Sequence, residues 1–104
     1  MVNKNLLFDR KIEILKGLAH PVRFSIVQAL SEGEMCVHNI GNLFSCDRTT
    51  ISKHLAFMKK LGILSSRKDG LKVYYSLRVH CLPNMLSCIQ KIAEGENPEI
   101  FLEK

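Results

Sequence analysis

The chain has 104 residues, 46% of them hydrophobic and 24% charged, the balance of one water-facing domain with one modest core spanning residues 1–104. No apolar run approaches the roughly 18 residues that a membrane span needs. Residues 1–11 lack a small-residue cleavage site, so we expect no signal peptide and a cytoplasmic location. The formal charge of +5 is unevenly placed: residues 1–47 are neutral, residues 48–78 hold eight Lys/Arg against Asp69 alone, and residues 79–104 hold two Lys against four Glu.

The first predicted helix runs from Leu6 to Leu18, with Ile12, Leu15 and Ala19 recurring on one face. Pro21 then suits a first helical turn, because its missing N–H would have no partner there. A second helix over Pro21–Ser31 turns Val22, Ile26, Val27 and Leu30 inward, and Gly33 follows its end. A short third helix over Val37–Phe44 carries the stripe Val37, Ile40, Leu43 and Phe44. After the break at Ser45-Cys46-Asp47, Asp47 is a good N-cap for a helix from Arg48 to Leu61, which Gly62 stops. Its inner face is Ile51, Leu55, Met58 and Leu61; its outer face is Thr49, Thr50, Lys53, Lys59 and Lys60.

Beyond Gly62 the period changes. Residues 63–68 and 72–77 are β-prone runs, and Asp69-Gly70 between them signals a tight hairpin. A last helix from Leu82-Pro83 to Ala93 carries a wide apolar stripe: Leu82, Met85, Leu86, Ile89, Ile92 and Ala93. The tail after it is acidic, with Phe101 and Leu102 as apolar exceptions. The predicted order is helix, helix, helix, helix, hairpin, helix: mainly α with a β-hairpin, the pattern of a winged helix-turn-helix.

The basic middle third has two readings, a polyanion partner or a solvated face. Position favours the first. Arg48, Thr49, Thr50, Ser52, Lys53 and His54 fill the first two turns of the second reader helix, the end that usually enters a major groove. Arg67, Lys68 and Lys72 flank the hairpin tip, where they meet phosphate or the minor groove. The partner so implied is double-stranded DNA. No Gly-rich phosphate loop, nucleophile elbow or paired-carboxylate constellation points to an enzyme.

Four segments carry a family resemblance. They are residues 18–23 (Leu-Ala-His-Pro-Val-Arg), residues 34–37 (Glu-Met-Cys-Val), residues 47–55 (Asp-Arg-Thr-Thr-Ile-Ser-Lys-His-Leu), and Gly62-Ile63-Leu64 through Tyr74-Tyr75-Ser76-Leu77. Together they resemble the ArsR/SmtB family over roughly residues 8–93. The resemblance implies a homodimeric repressor whose first and last helices, 6–19 and 82–93, form the dimer interface. It also implies a palindromic operator and an inducer that releases DNA.

The inducer is open at this level. The family's arsenic-type site resembles Glu-Leu-Cys-Val-Cys-Asp, and here residues 34–39 read Glu-Met-Cys-Val-His-Asn. Cys36 matches the first thiolate, while His38 replaces the second, a change that leans from a soft metalloid toward a borderline ion such as Zn²⁺. A spacing of two puts side chains about 200° apart on a helix, so ligation requires a frayed start. The alternative places Cys36 at the cap position with His38 exposed. The family's last-helix zinc site would fall on Val79, Cys81, Ile92 and Gly95, which cannot form it.

His80, Cys81 and Cys88 remain as thiol or metal candidates. Seven helical residues separate Cα atoms by about 10.5 Å, so Cys81 and Cys88 share an ion or a disulfide only if Pro83 lets the chain fold back, or across two subunits. Without export signals, the cysteines are expected reduced, and Cys46 in the reader turn is expected in the core. The expected function is a DNA-binding repressor released by a metal, metalloid or thiol-reactive signal. Two alternatives stand beside it: a DNA binder with no small-molecule sensor, and a winged-helix protein-interaction module.

Overall fold

The computed structural model describes residues 4–95. The acidic tail, with Phe101 and Leu102, lies outside them. The elements are α1 (Lys4–Leu18), α2 (Pro21–Leu30), β1 (Met35–Cys36), α3 (Val37–Gly41), α4 (Arg48–Leu61), β2 (Leu64–Asp69), β3 (Lys72–Leu77) and α5 (Leu82–Glu94). The expected order holds, with one added strand.

That strand, β1, has two residues and was invisible as a local pattern. It pairs antiparallel with β3, Met35 opposite Tyr75 and Cys36 opposite Tyr74. The sheet order is β1-β3-β2, so the hairpin gains a third edge at its base.

The helix ends follow local chemistry. His20 caps α2, its Nδ1 accepting the Val22 amide at 3.1 Å, with Pro21 in the first turn. Asp47 caps α4 through the Thr50 amide at 2.8 Å. α3 stops at Gly41, three residues short of the expected end, and Leu43 is half exposed at 52%. Five residues make scarcely more than one turn, so the segment relies on Ile40, fully buried, to hold it.

The hairpin turn is shifted one residue from Asp69-Gly70. Asp69 stays in the ladder opposite Lys72, leaving Gly70-Leu71 as the two-residue loop. Gly70 has φ +65, while among the described residues no non-glycine residue has positive φ. Glycine at the first loop position alone is the requirement of a type II′ turn, whose twist suits the flanking strands.

The core gathers under α4. Ile26, Val27, Ile40, Ile51, Leu55, Met58 and Leu64 are each less than 2% exposed. Three of the seven lie on α4 one or two turns apart, so its inner face is fixed and its opposite face is set by geometry. Each such side chain contributes about 1.5–3 kcal/mol by leaving water. α1 crosses α4 closely at Gly17, where a Cβ would lie 2.5 Å from Leu61 Cδ1. Gly17, with no side chain, permits this approach.

Two apolar stripes are left open. Leu15 is 52% exposed and Ala19 is exposed. On α5 only Leu86 is buried, and Ile89 and Ile92 are 40% and 57% exposed. The stripes are as regular as the sequence indicated, but the described residues do not cover them.

Candidate nucleic-acid interface

The start of α4 projects its polar residues outward. With Ile51, Leu55 and Met58 buried, Arg48, Thr49, Thr50, Ser52 and Lys53 are all exposed. Asp47 belongs to the helix rather than to a partner: hydrogen bonding from Thr50, with the nearby Lys53 charge, holds its carboxyl below the usual carboxylate range. Arg48 Nη2 lies 3.0 Å from His38 Nδ1 on α3, so the ring tethers the guanidinium at the head of the helix.

His54 needs correction. Expected among the groove-facing residues, it is half-buried on the shoulder of α4. Its ring lies 4.6 Å from that of His20, and its Nδ1 lies 3.4 Å from Arg23 Nη1. Arg23 also donates to the Gly17 carbonyl at 2.6 Å and lies over Phe57 at 4.8 Å. The cluster joins the C-terminus of α1, the cap of α2 and the flank of α4. Desolvation first, then the charges of His20 and Arg23, push the His54 pKa down. A neutral His54 can accept from Arg23; a charged one faces a cation. Sequence reasoning missed this role because the partners lie 31 and 34 positions away, with no local signal.

The wing, β2 and β3, is tied to α4 by Lys59 Nζ donating to Ser66 Oγ at 2.7 Å. Lys68 and Lys72 are exposed near its tip. Arg67, expected to be equally available, is engaged. Its Nε and Nη2 donate to the two carboxylate oxygens of Glu34 at 3.1 and 2.5 Å. Asp69 lies 3.8 Å away, and the guanidinium stacks over Tyr74 at 4.6 Å. Hydrogen bonding and charge from Arg67 hold Glu34 below its usual carboxylate range, and Arg67 is raised in turn.

The wing and the head of α4 share one cleft. Arg48, Lys72 and Leu71 line it together with His38 and Cys36, so the two cationic surfaces adjoin.

The metal candidates do not converge within the chain. Cys36 is buried at the N-cap of α3, making no capping bond, and His38 is exposed, which is the alternative set out above. Cys88 is exposed on α5, and Cys81 at its N-cap and His80 just before are exposed too. Cys81 has φ −84 and ψ −8, continuing the helical path, so the chain does not fold back at Pro83. Among the described residues no three His, Cys, Asp or Glu side chains cluster as metal ligands. Cys46 is half-buried against the core, as expected.

Two helices joined by a short turn, the second exposed at its head and followed by a basic antiparallel ribbon, define a winged helix-turn-helix. The comparisons agree. The sequence profile "Bacterial regulatory protein, arsR family" matches residues 20–66. The HTH-type transcriptional repressor SmtB of Mycobacterium tuberculosis is 32% identical over 80 residues, 77% of this chain and 59% of that protein. A crystal structure of a possible transcriptional regulator for arsenical resistance is 30% identical, with TM-score 0.66, covering 88% of this chain and 95% of that one. The homodimeric winged helix-turn-helix DNA-binding domain Mb0332 of Mycobacterium bovis superimposes with TM-score 0.81 at 26% identity, over 93% and 90% of the two chains.

The chain belongs to the ArsR family, a family of regulators rather than enzymes. It spans 54–60% of the length of curated relatives such as SmtB, a cadmium-resistance regulator homolog and an arsenical-resistance repressor. Among the described residues no helix is long and apolar enough to cross a membrane.

Proposed function

We propose that this chain is a cytoplasmic homodimeric repressor that reads a palindromic operator through α4 and grips it with the wing. The observation that carries the reading is the exposed row Arg48, Thr49, Thr50, Ser52 and Lys53, backed by a buried face and adjoining the Lys68–Lys72 wing tip. Threonine, serine and lysine supply bonds to base edges and phosphate, and the wing supplies charge.

Dimerisation rests on the uncovered apolar face. Leu15, Leu18, Ala19, Phe24, Met85 and Ile89 line one apolar hollow between α1 and α5. Ile92 and the residues Leu6, Leu7 and Phe8 are exposed on the same two helices. A second copy covers such a face with its own, giving the two-fold symmetry that a palindrome mirrors. The homodimeric Mb0332 domain supports this arrangement.

The inducer acts on thiols. Cys81 and Cys88 are solvent-accessible on α5, beside this face, and one α5 alone cannot bring them together. A metal or metalloid ion, or a disulfide, is then shared between subunits, with His80 as a further donor to an ion.

The test is selection from a random duplex pool, followed by binding to the selected site across a salt series. A reader loses affinity steeply with salt, with a log–log slope of about −0.9 per phosphate contact. Absence of salt-dependent duplex binding overturns the reading in favour of a protein-interaction module. C81S and C88S, assayed for release by arsenite, Zn²⁺ and oxidant, test the inducer. Unchanged release in both removes the thiols.

A further inference from the structure

The cleft between the head of α4 and the wing has about 300 Å³ of space and is lined by Cys36, Val37, His38, Arg48, Leu71, Lys72 and Val73. We propose that it is a binding site for a small organic monoanion, a carboxylate with a short apolar body, and that its occupant competes with DNA for Arg48 and Lys72. The competition rests on the DNA-binding reading; the site itself does not.

The volume is at the lower end for small-molecule sites, which pair apolar walls with a few convergent polar groups, about 300–1,000 Å³. Here the walls are Val37, Val73, the Cys36 side and Leu71, which sits fully exposed at the turn. An apolar ligand body covers Leu71, which none of the described residues does.

The polar groups are His38, Arg48 and Lys72. His38 Nδ1 pairs with Arg48 Nη2 at 3.0 Å. A guanidinium only donates, so Nδ1 is the acceptor in this pair. Arg48 keeps its remaining N–H donors, which match a carboxylate in geometry as well as charge. Lys72 faces the same space from β3.

Among the described residues no carboxylate lines the cleft. The three nearest in sequence are spent: Asp47 caps α4 on the Thr50 amide, and Asp69 and Glu34 lie against Arg67. The same arrangement disfavours a metal ion on Cys36 and His38, which would sit beside a guanidinium already bonded to the ring. An anion removes that repulsion, and a cation adds to it.

The experiment uses the full chain without DNA. Methyl spectra of Val37, Leu71 and Val73 are followed during titration with benzoate, with neutral benzamide, and with inorganic phosphate. Benzoate is expected to give saturating shifts with a dissociation constant on the order of 1 mM, a modest affinity for an open cleft. Benzamide and phosphate are expected to bind at least about ten-fold more weakly, a gap of about 1.4 kcal/mol. R48Q and K72Q, checked for unchanged circular dichroism, are each expected to weaken benzoate about ten-fold, while K91Q on α5 leaves it unaltered.

Absence of saturation, or benzamide equal to benzoate, overturns the site. Phosphate as tight as benzoate also overturns it, since the cleft is then only a seat for a backbone phosphate. In a second arm, benzoate is added to protein bound to its selected duplex. Release in proportion to cleft occupancy is expected, and occupancy without release overturns the competition. Failure of the chain to bind any duplex removes the proposed function while the spectra still decide the site.

Discussion

Removing the Glu34 carboxylate is expected to tighten DNA binding, because Glu34 occupies the one wing arginine. In the free protein both carboxylate oxygens accept from Arg67, at 3.1 and 2.5 Å, and Tyr74 holds the guanidinium from below at 4.6 Å. A neutralised arginine releases no counterion when DNA arrives. In E34Q the charge is freed, and each subunit gains one cation for a phosphate. The salt slope then steepens by about 0.9 per subunit, or about 1.8 for a dimer. Between about 50 and about 200 mM salt, a four-fold change, each added contact loses a further factor of about 3.5, and two lose about 12-fold. The assay is fluorescence anisotropy on the selected duplex at four salt concentrations, comparing wild type, E34Q and R67Q. R67Q is expected to change the slope little, since its charge is already answered. A shallower slope in E34Q refutes the reasoning, because Glu34 then aims Arg67 at DNA instead of withholding it. A large slope loss in R67Q refutes it too.

Leu55→Ala empties a fully buried position on the inner face of α4. It is expected to cost about 2–5 kcal/mol in urea unfolding, with DNA affinity falling only as far as the folded fraction does. Acidification is expected to destabilise the fold through His54. Its folded pKa lies below its ordinary 6.5, so the unfolded chain binds more protons. This contribution is fully present above 6.5 and is lost as pH falls through that value toward the folded pKa. Urea midpoints at about pH 7.5 and about pH 5.5 measure it, and H54Q is expected to flatten the difference. Ile89→Glu with Ile92→Glu places two charges on the open face of α5 and is expected to give a folded monomer by sedimentation, whereas an unchanged mass places the dimer seam elsewhere.

The elements with strong periodicity were legible because burial alone dictates them. α4 is the clearest case: Asp47, Gly62 and the Ile51–Leu55–Met58 spacing define its ends and its inner face without reference to the rest of the chain. The hairpin was legible to within one residue, since Asp69-Gly70 and Gly70-Leu71 are both acceptable turns and ladder pairing chose the second. β1 was not legible, because two residues carry no period and their strand character comes from Tyr74 and Tyr75 across the sheet. The candidate site divides the same way. Exposure at Thr49, Thr50 and Lys53 followed from the helix, whereas the engagement of Arg67 and His54 depends on partners more than 30 positions away. Leu15, Ile89 and Ile92 were placed on apolar stripes of the two helices that the resemblance gives to a dimer interface, and the described residues leave them open.

The two proposed routes of release make different physical demands. A ligand shared between α5 helices lies away from the reader, so it loosens DNA only if the dimer has two arrangements that differ in half-site spacing, and only by its differential affinity for them. An anion in the wing cleft needs no second arrangement, since Arg48 and Lys72 cannot face a ligand carboxylate and a phosphate at once. Glu34 already does this to Arg67 from within the chain. The row formed by Cys36, Tyr74 and Arg67, directly opposed across β1, β3 and β2, places the cleft and this internal ion pair on one face of the same three strands. On the two proposals together, DNA affinity is set locally, by which carboxylates occupy the cations around the wing, and the dimer seam acts on a surface whose charge has been adjusted beforehand.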